Sequence, residues 1–474
     1  MLFHSIEFLV FFLLLLLGLL AIQQQNPRKG LLLIASYIFY MWWNPVFILL
    51  IIFSTFIDYF LGKRLYEEDR PTKKRFYLIL SLCSNLGLLA FFKYYGFFEQ
   101  NLMALMQLFG HTPGWTSLHV ILPVGISFYT FQTMSYTIDI YRGELKPTDS
   151  MLDFAVFVSF FPQLVAGPIV RASDFLPQLR HNPPIRFKQE SVLLVLKGLG
   201  KKVLIADNLG VLTEGVFSNP EVYPSPIIWL ATICFSIQIY CDFSGYTDIA
   251  IGIADILGYH FPQNFNRPYF AASPSDFWRR WHISLSTWLR DYLYISLGGN
   301  RKGKFFTYRN LFLTMALGGL WHGNSWNYVI WGVLHGLILI LYRLFDLDKK
   351  IARLPNGIPR LLSVLIMQYI VLLTWIAFRV KDFDKMLISI QKYIWFDFNF
   401  AFQNIGLGKL NFFSTILILL AFWAVHTFSF VKGGLEKQWA NLPLAPFALV
   451  IFLSSLLMYL FWPLDETPFI YFQF

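Results

Sequence analysis

The stretch Phe8-Leu-Val-Phe-Phe-Leu-Leu-Leu-Leu-Leu-Gly-Leu-Leu-Ala-Ile22 carries neither a charge nor a hydrogen-bonding side chain. Such a run belongs in lipid, where about 20 residues of helix span the hydrocarbon and satisfy their own backbone polar groups. It lies in a first candidate span near 6–22. Further apolar runs recur near 30–43, 46–62, 76–98, 119–140, 151–170, 190–217, 226–258, 311–342, 361–379, 410–430 and 444–463. The 474 residues are 56% hydrophobic, 19% aromatic and 14% charged, whereas soluble domains carry about 25% charged residues. Mean hydropathy is +0.53. A globule of this composition lacks the polar surface to cover itself, which excludes a disordered chain, a collagen, a disulfide scaffold and a soluble enzyme with an appended tail. The chain reads as an all-α polytopic integral membrane protein of roughly 11–13 helices, with residues 1–474 as a single integral-membrane domain.

Charge orients it. The formal net charge of +10 is expected of basic cytoplasmic loops, so nucleic acid is not an expected partner. Arg28–Lys29 and the stretch Lys63, Arg64, Arg70, Lys73, Lys74 and Arg75 both belong in the cytoplasm by the positive-inside rule. The runs between them then form a hairpin turning at Asn44–Pro45, and the N-terminus lies outside. The first run has no basic segment before it and no A-x-A-like site after it, so it is expected to be retained. Runs 226–258 and 311–342 exceed one span and contain Gly, Asp, Asn and His, which predicts discontinuous or re-entrant helices. Stretches 100–109 and 384–396 are amphipathic and short, hence interfacial. Cys83, Cys234 and Cys241 sit in apolar runs without C-x-x-C or Cys/His spacing and read as small buried residues.

The most basic segment runs from Arg267 to Arg309, with Arg279, Arg280, Arg290, Arg301, Lys302 and Lys304 between, against two acids, Asp276 and Asp291. Ser275-Asp276-Phe277-Trp278-Arg279-Arg280-Trp281-His282 opens a helix with Ser or Asp as cap. Helical spacing places Trp281, Leu285, Trp288 and Tyr292 on one stripe. Arg279, His282, Ser286 and Arg290 fall on a second stripe about 100° away. The aromatic side can enter the membrane while the cationic side faces something polar. That partner is either anionic lipid or a phosphate-bearing donor such as an acyl-coenzyme A.

The second constellation is Leu320-Trp321-His322-Gly323-Asn324-Ser325-Trp326-Asn327. His322 lies eleven residues into the run that begins at Leu311, about 17 Å deep at 1.5 Å per residue, where an ionisable group is costly. A buried neutral imidazole can take a proton from a hydroxyl as general base, and Gly318, Gly319 and Gly323 leave room for a substrate or backbone to approach. A histidine bridging helices is the structural alternative. His335 is about 220° round a helix from His322, so the two share a face only if the helix breaks between them. No His/Asp/Glu set has metal-ligand spacing, and no bound cofactor or metal site is expected. There is no G-x-S-x-G elbow, P-loop or dinucleotide fingerprint. Gln238, Asp242, Ser244, Asp248 and Asp255 interrupt the long run 226–258, which equally fits carboxylates of a proton-coupled transporter.

Phe161-Pro-Gln-Leu-Val-Ala-Gly-Pro168, Cys241-Asp-Phe-Ser-Gly-Tyr-Thr-Asp248, Asn266-Arg-Pro-Tyr269, Phe277-Trp-Arg-Arg-Trp-His-Ile-Ser284 and Leu320-Trp-His-Gly323, in that order, resemble the membrane-bound O-acyltransferases. The likeness is to the bacterial branch typified by the alginate O-acetylation membrane protein, with peptidoglycan O-acetylation and teichoic-acid D-alanylation proteins as relatives. The resemblance implies tilted helices around a central funnel in the bacterial inner membrane. It implies His322 as the essential histidine and His282 as its polar partner; on the residues' own charge, Arg279, Arg280 and Arg290 are expected to bind donor phosphates. It further implies an acetyl donor, acetyl-coenzyme A, approaching from the cytoplasm. The acceptor would approach from the other side, a polysaccharide reached directly or through extracytoplasmic partner proteins. A transporter of an acetylated precursor and a scaffold for polysaccharide export are the alternatives from other classes.

Overall fold

Ser5 accepts a hydrogen bond from the Phe8 backbone N–H, and the apolar run behind it forms helix α1 (Ile6–Ala21) in this computed structural model. The structure describes residues 1–474 except 112–113, 115, 119, 398–408, 435–437, 463–468 and 471–474, so that His119 and Pro463, at the edges of two apolar runs, lie outside the described residues. Among the described residues there is no strand. Among the described residues six helices are long and apolar enough to cross a membrane: Pro45–Glu67, Pro71–Leu108, Ser225–Ile256, Trp326–Leu344, Ile358–Arg379 and Phe412–Lys432. Ile6–Ala21 and Leu444–Leu460 are shorter apolar helices. The chain is thus an all-helical polytopic membrane protein. Its contacts divide into two compact units, Met1–Phe187 with Ile253–Pro262, and Lys188–Gly252 with Gln263–Phe474.

In the first unit, α2 (Gln25–Met41) and α3 (Ile48–Glu67) form the hairpin expected at Asn44–Pro45, where Asn44 Oδ1 accepts from Val46 N at 3.1 Å. The next helix, α4 (Pro71–Leu108), passes through a π turn at Ala90–Tyr94. Residues 100–108 therefore end a long helix and do not form a separate interfacial one. Cys83 is exposed on α4, contrary to the buried expectation, whereas Cys234 and Cys241 are buried; a thiol is apolar enough to face lipid. Lipid gives helices little hydrophobic reason to associate, so polar contacts join them. Asp58 on α3 accepts from Ser81 Oγ at 2.6 Å and Asn85 Nδ2 at 2.7 Å on α4, and Asn85 Oδ1 accepts from Thr133 Oγ1 at 3.0 Å on α5 (Ile126–Arg142). Lys29 on α2 pairs with Asp153 at 2.7 Å on α6 (Met151–Ser159). The run 151–170 is not a span: α6 has nine residues, and 153–170 are buried throughout. Its apolarity reflects burial in protein.

The second unit begins with α7 (Gln189–Gly200) and α8 (Asp207–Ser218), joined by a π turn at Lys201–Ala206. It continues through α9 (Ser225–Ile256), whose residues up to Gly252 belong to this unit. The expected break in α9 is absent: it is one helix of 32 residues. Its interrupting residues serve neighbours instead. A Cβ on Gly198 would lie 2.5 Å from the Gly245 carbonyl oxygen, so these glycines let helices touch by their backbones. Asp242 and Asp248 are met by lysines of α7 and the π turn. Run 311–342 does break, into α12 (Lys304–His322) and α13 (Trp326–Leu344), which pack as a hairpin. Gly323 is extended, with φ −165° and ψ 167°. A Cβ on Gly332 would lie 2.3 Å from Met315 O, and one on Gly319 2.3 Å from Tyr328 O, so the two helices cross at glycine. After α14 (Ile358–Arg379), Asp382 caps the short helix α15 (Phe383–Ile394), whose Tyr393 stacks on Trp229 at 4.3 Å.

Candidate active site

His322 is the last residue of α12, where the helix stops because Gly323 leaves the helical conformation. Its ring is boxed by Trp321 at 5.0 Å, Trp331 at 5.0 Å and Phe378 at 5.4 Å, and only 5% of the residue is exposed. The break changes the place of His335. Trp331, one turn before His335, touches both His322 and His335, the latter at 4.7 Å. His335 also lies against Trp278 at 5.1 Å, and neither of its ring nitrogens finds a hydrogen-bond partner among the described residues.

His282 reaches the same box from a second break. The single helix expected from Ser275 onward is two short ones, α10 (Pro274–Trp278) and α11 (Ile283–Trp288), the latter continuing as a π turn over Leu289–Tyr294. Ser273, rather than Ser275 or Asp276, caps α10 by accepting from Asp276 N. His282 stands between the helices with φ 42° and ψ 56°, a left-handed conformation costly for a non-glycine residue. The upstream segment Asn264–Asn266 holds it there. Ile283 N donates to Asn264 O at 2.9 Å, Ser284 N and Oγ donate to Asn264 Oδ1 at 3.1 and 2.9 Å, and Asn266 N donates to Arg280 O at 2.9 Å. Asn264 is fully buried. These bonds replace those a continuous helix would have made, so the helix yields.

The two imidazoles lie 6.5 Å apart, ring centre to ring centre, and His282 has Phe243 at 4.6 Å on its other side. His282 is fully buried, and burial pushes its pKa down to about 3, so the ring is neutral at physiological pH. Trp281, Leu285, Trp288 and Tyr292 are 1%, 1%, 5% and 6% exposed. That stripe therefore faces protein, not membrane. Nor do the members of the second stripe share a face: Arg279 and Arg290 are exposed while His282 is buried. Arg280 pairs with Asp276 at 2.9 Å and Arg290 with Asp291 at 2.6 Å.

The acids of α9 are neutralised as well. Lys202 Nζ lies 2.9 Å from Asp242 and 2.8 Å from Asp207, all three buried, and Ile470 N donates to the other oxygen of Asp242 at 2.7 Å. Asp248 pairs with Lys201 at 2.7 Å and Lys197 at 3.3 Å. In the first unit, Asp255 pairs with His260 at 3.0 Å. Lys202, Asp207 and Asp242 line a cavity of about 520 Å³ that also meets Gln238, Glu214 and Arg379. Arg379 directly follows Phe378, the wall of the His322 box. Asn264 and Lys202 were not singled out from the sequence. Asn264 has no local signature, since its partners lie 20 residues downstream; Lys202 had one, as a lysine inside an apolar run that needs a buried acid.

The membrane-bound O-acyltransferase family profile matches residues 144–373, a stretch that contains both histidine breaks. The chain belongs to this family and is an acyltransferase. It is 39% identical to the probable alginate O-acetylase AlgI of Pseudomonas putida, with 100% of both chains covered. It is 44% identical to its counterpart in Pseudomonas aeruginosa over 81% of this chain and 72% of that one. The peptidoglycan O-acetyltransferase of Helicobacter pylori is 37% identical over 77% of this chain and 73% of that protein.

Proposed function

We propose that the protein transfers acetyl groups from a cytoplasmic thioester, acetyl-coenzyme A, to an acceptor hydroxyl outside the inner membrane, for O-acetylation of alginate or an alginate-like exported polysaccharide. The observation that carries the reading is the meeting of His322 and His282, from two separate breaks, at 6.5 Å in one aromatic box. A ring nitrogen of His322 takes the proton of the acceptor hydroxyl as its oxygen attacks the thioester carbonyl carbon. The carbon–sulfur bond then breaks, and the thiolate leaving group takes the proton back from the imidazolium. His282, neutral and held by Asn264, orients the reacting groups. Arg279, exposed and without an ion pair among the described residues, is available to a donor phosphate at the cytoplasmic surface. Arg379 ends α14, and the cavity beside it, which also meets Lys202, Asp207 and Asp242, offers the acceptor an approach to the His322 box. The acceptor is a sugar or a residue of an extracytoplasmic partner. Relatives at similar identity keep peptidoglycan as the second acceptor reading. A transporter would need carboxylates free to load and release protons, whereas Asp242 and Asp248 are paired with lysines.

The test is purified protein given acetyl-coenzyme A with alginate or peptidoglycan fragments, alone and with extracytoplasmic partners. The base assignment requires His322→Gln to remain folded and lose transfer; transfer at the wild-type rate defeats it. Labelling of a cysteine placed at Glu68 by an impermeant reagent outside intact cells would overturn the orientation.

A further inference from the structure

The stretch that carries His322 ends at Asn327, a residue that the proposed acyl transfer does not use. Asn327 lies in the first turn of α13 and is 4% exposed. Its amide reaches across to the segment that follows α14: Nδ2 donates to Val380 O and to Lys381 O, the latter at 3.1 Å. There Val380 leaves the helical conformation for extended backbone, and its own N–H returns to Ile376 O. A helix end leaves its last carbonyls without partners inside the helix, and a buried one must be answered from outside. Val380 is buried. One side-chain amide, with two N–H groups, answers two successive carbonyls and so fixes both the position and the orientation of the chain where α14 ends.

What is fixed there lies against the candidate base. Phe378, two residues before Val380, is buried and walls the His322 ring at 5.4 Å; it also touches Trp331 at 5.2 Å and Tyr328 at 5.1 Å. Tyr328 directly follows Asn327 and closes over the break, since a Cβ on Gly323 would lie 2.1 Å from its ring. On the other side of Phe378, residues Arg379, Val380, Lys381 and Asp382 line the cavity of about 520 Å³. Asp382 then caps α15 by accepting from Lys385 N at 2.9 Å. The segment 378–382 is thus wall to the histidine at one end and wall to the cavity along the rest. Asn327 ties it to the turn that carries His322.

We propose that Asn327 is a positioning residue for the transfer. It acts through Phe378 and the cavity wall, not on the reacting atoms: it holds 378–382 in register with the break at 323–325, so that the histidine box and the cavity offered to the acceptor are set by one amide. Ring contacts alone would not do this, because aromatic pairs accept a range of offsets and tilts, whereas hydrogen bonds to two adjacent carbonyls are directional. The kinetic consequence rests on the proposed acyl transfer; the structural one rests on the hydrogen bonds alone.

The test uses the full-length protein in nanodiscs. Asn327→Leu nearly keeps the volume and removes both donors. Amide exchange of the peptide covering 378–385, read by mass spectrometry, should speed up about 10-fold, as expected on losing hydrogen bonds that hold a segment closed, while exchange in α3 of the other unit stays at its wild-type rate. With acetyl-coenzyme A and alginate oligosaccharides, kcat per folded molecule should fall about 10–100-fold, the cost of a displacement of about 1 Å, and KM should rise for the oligosaccharide but not for acetyl-coenzyme A. Asn327→Ser keeps one hydroxyl donor; it should show smaller changes of the same kind, and it carries the test if the leucine variant does not fold. Unchanged exchange at 378–385 overturns the tie. Faster exchange with kcat per folded molecule and both KM values at wild type overturns the positioning role and leaves Asn327 a structural contact only. His322→Gln keeps the two readings apart: its exchange at 378–385 should match the wild type while transfer is lost. A fully active His322→Gln defeats the base assignment, and the tie at Asn327 is still decided by exchange.

Discussion

The two breaks that deliver His322 and His282 are held by opposite means. Around His322 the support is steric and local: α12 and α13 meet backbone to backbone at Gly319 and Gly332, and the chain turns at Gly323. Around His282 the support is hydrogen bonding at a distance: Asn264 and Asn266 take over backbone groups of 280–284, and the histidine itself bears the left-handed φ of 42°. The first arrangement tolerates no added volume, and the second tolerates no lost acceptor. A site made from both has one histidine fixed by packing and one by polar contacts, which matches the roles proposed for them: a base that must not move and a partner whose orientation sets the reacting groups.

The largest effect should separate the two histidines. His322→Gln keeps a hydrogen-bonding side chain but loses the basic nitrogen, and transfer should fall about 10²–10⁴-fold in initial-rate assays, the usual cost of a lost general base. His282→Gln should lose less and leave some turnover. Equal losses would erase the distinction between base and partner. Next comes Gly332→Ala, whose new Cβ would meet Met315 O at 2.3 Å. Backbone cannot step aside as a side chain can, so an overpacking cost of about 1–3 kcal/mol or more is expected. It should show as a lower unfolding temperature and reduced monodisperse yield. A fully stable Gly332→Ala would mean that the hairpin is looser than its steric description.

Asn264→Ala attacks the other break. It leaves Ser284 N without its acceptor at a cost of about 1–3 kcal/mol. Since the damage falls on the placement of His282, kcat should drop while KM for the donor stays near the wild-type value. Asn264→Asp retains an acceptor oxygen and should rescue part of the rate, which a merely structural hole would not allow.

The same contrast governs what the sequence made legible. The break at 323–325 could be read in advance because its causes are written at the site: three glycines and a histidine inside an apolar run, with the consequence for His335 following from helical geometry. The break at 279–282 could not. Its residues have ordinary helical spacing, and what overrides them is an asparagine 18 residues before His282 that acts only once the chain has folded. The stripe of Trp281, Leu285, Trp288 and Tyr292 was read correctly as apolar and wrongly as lipid-facing, because hydropathy does not distinguish a protein interior from a bilayer. The unbroken α9 is the converse case. Its Asp242, Ser244, Gly245 and Asp248 looked like interruptions, yet each has its partner on α7 or the π turn, information that no single run contains.

The smallest effect belongs to Arg280, and it tests what kind of pin holds the second break. Arg280 lies beside the segment that fixes His282, pairs with Asp276 at 2.9 Å and sends a weak bond of 3.4 Å to Asn266 O. Its main-chain carbonyl accepts from Asn266 N at 2.9 Å whatever the side chain is. An i,i+4 ion pair at a part-exposed site contributes about 0–1 kcal/mol. Arg280→Gln should therefore shift the unfolding temperature only slightly and leave transfer within about a few-fold of wild type. Any deficit should shrink further as salt rises in the wild-type comparison, because screening weakens the pair that was removed. Asn264→Ala, by contrast, should be insensitive to salt, since its lost bonds are buried. If Arg280→Gln instead matches Asn264→Ala in rate loss and in salt response, then the segment 264–266 is anchored by charge through the Arg280 side chain, and the account of His282 as a histidine set by buried hydrogen bonds fails.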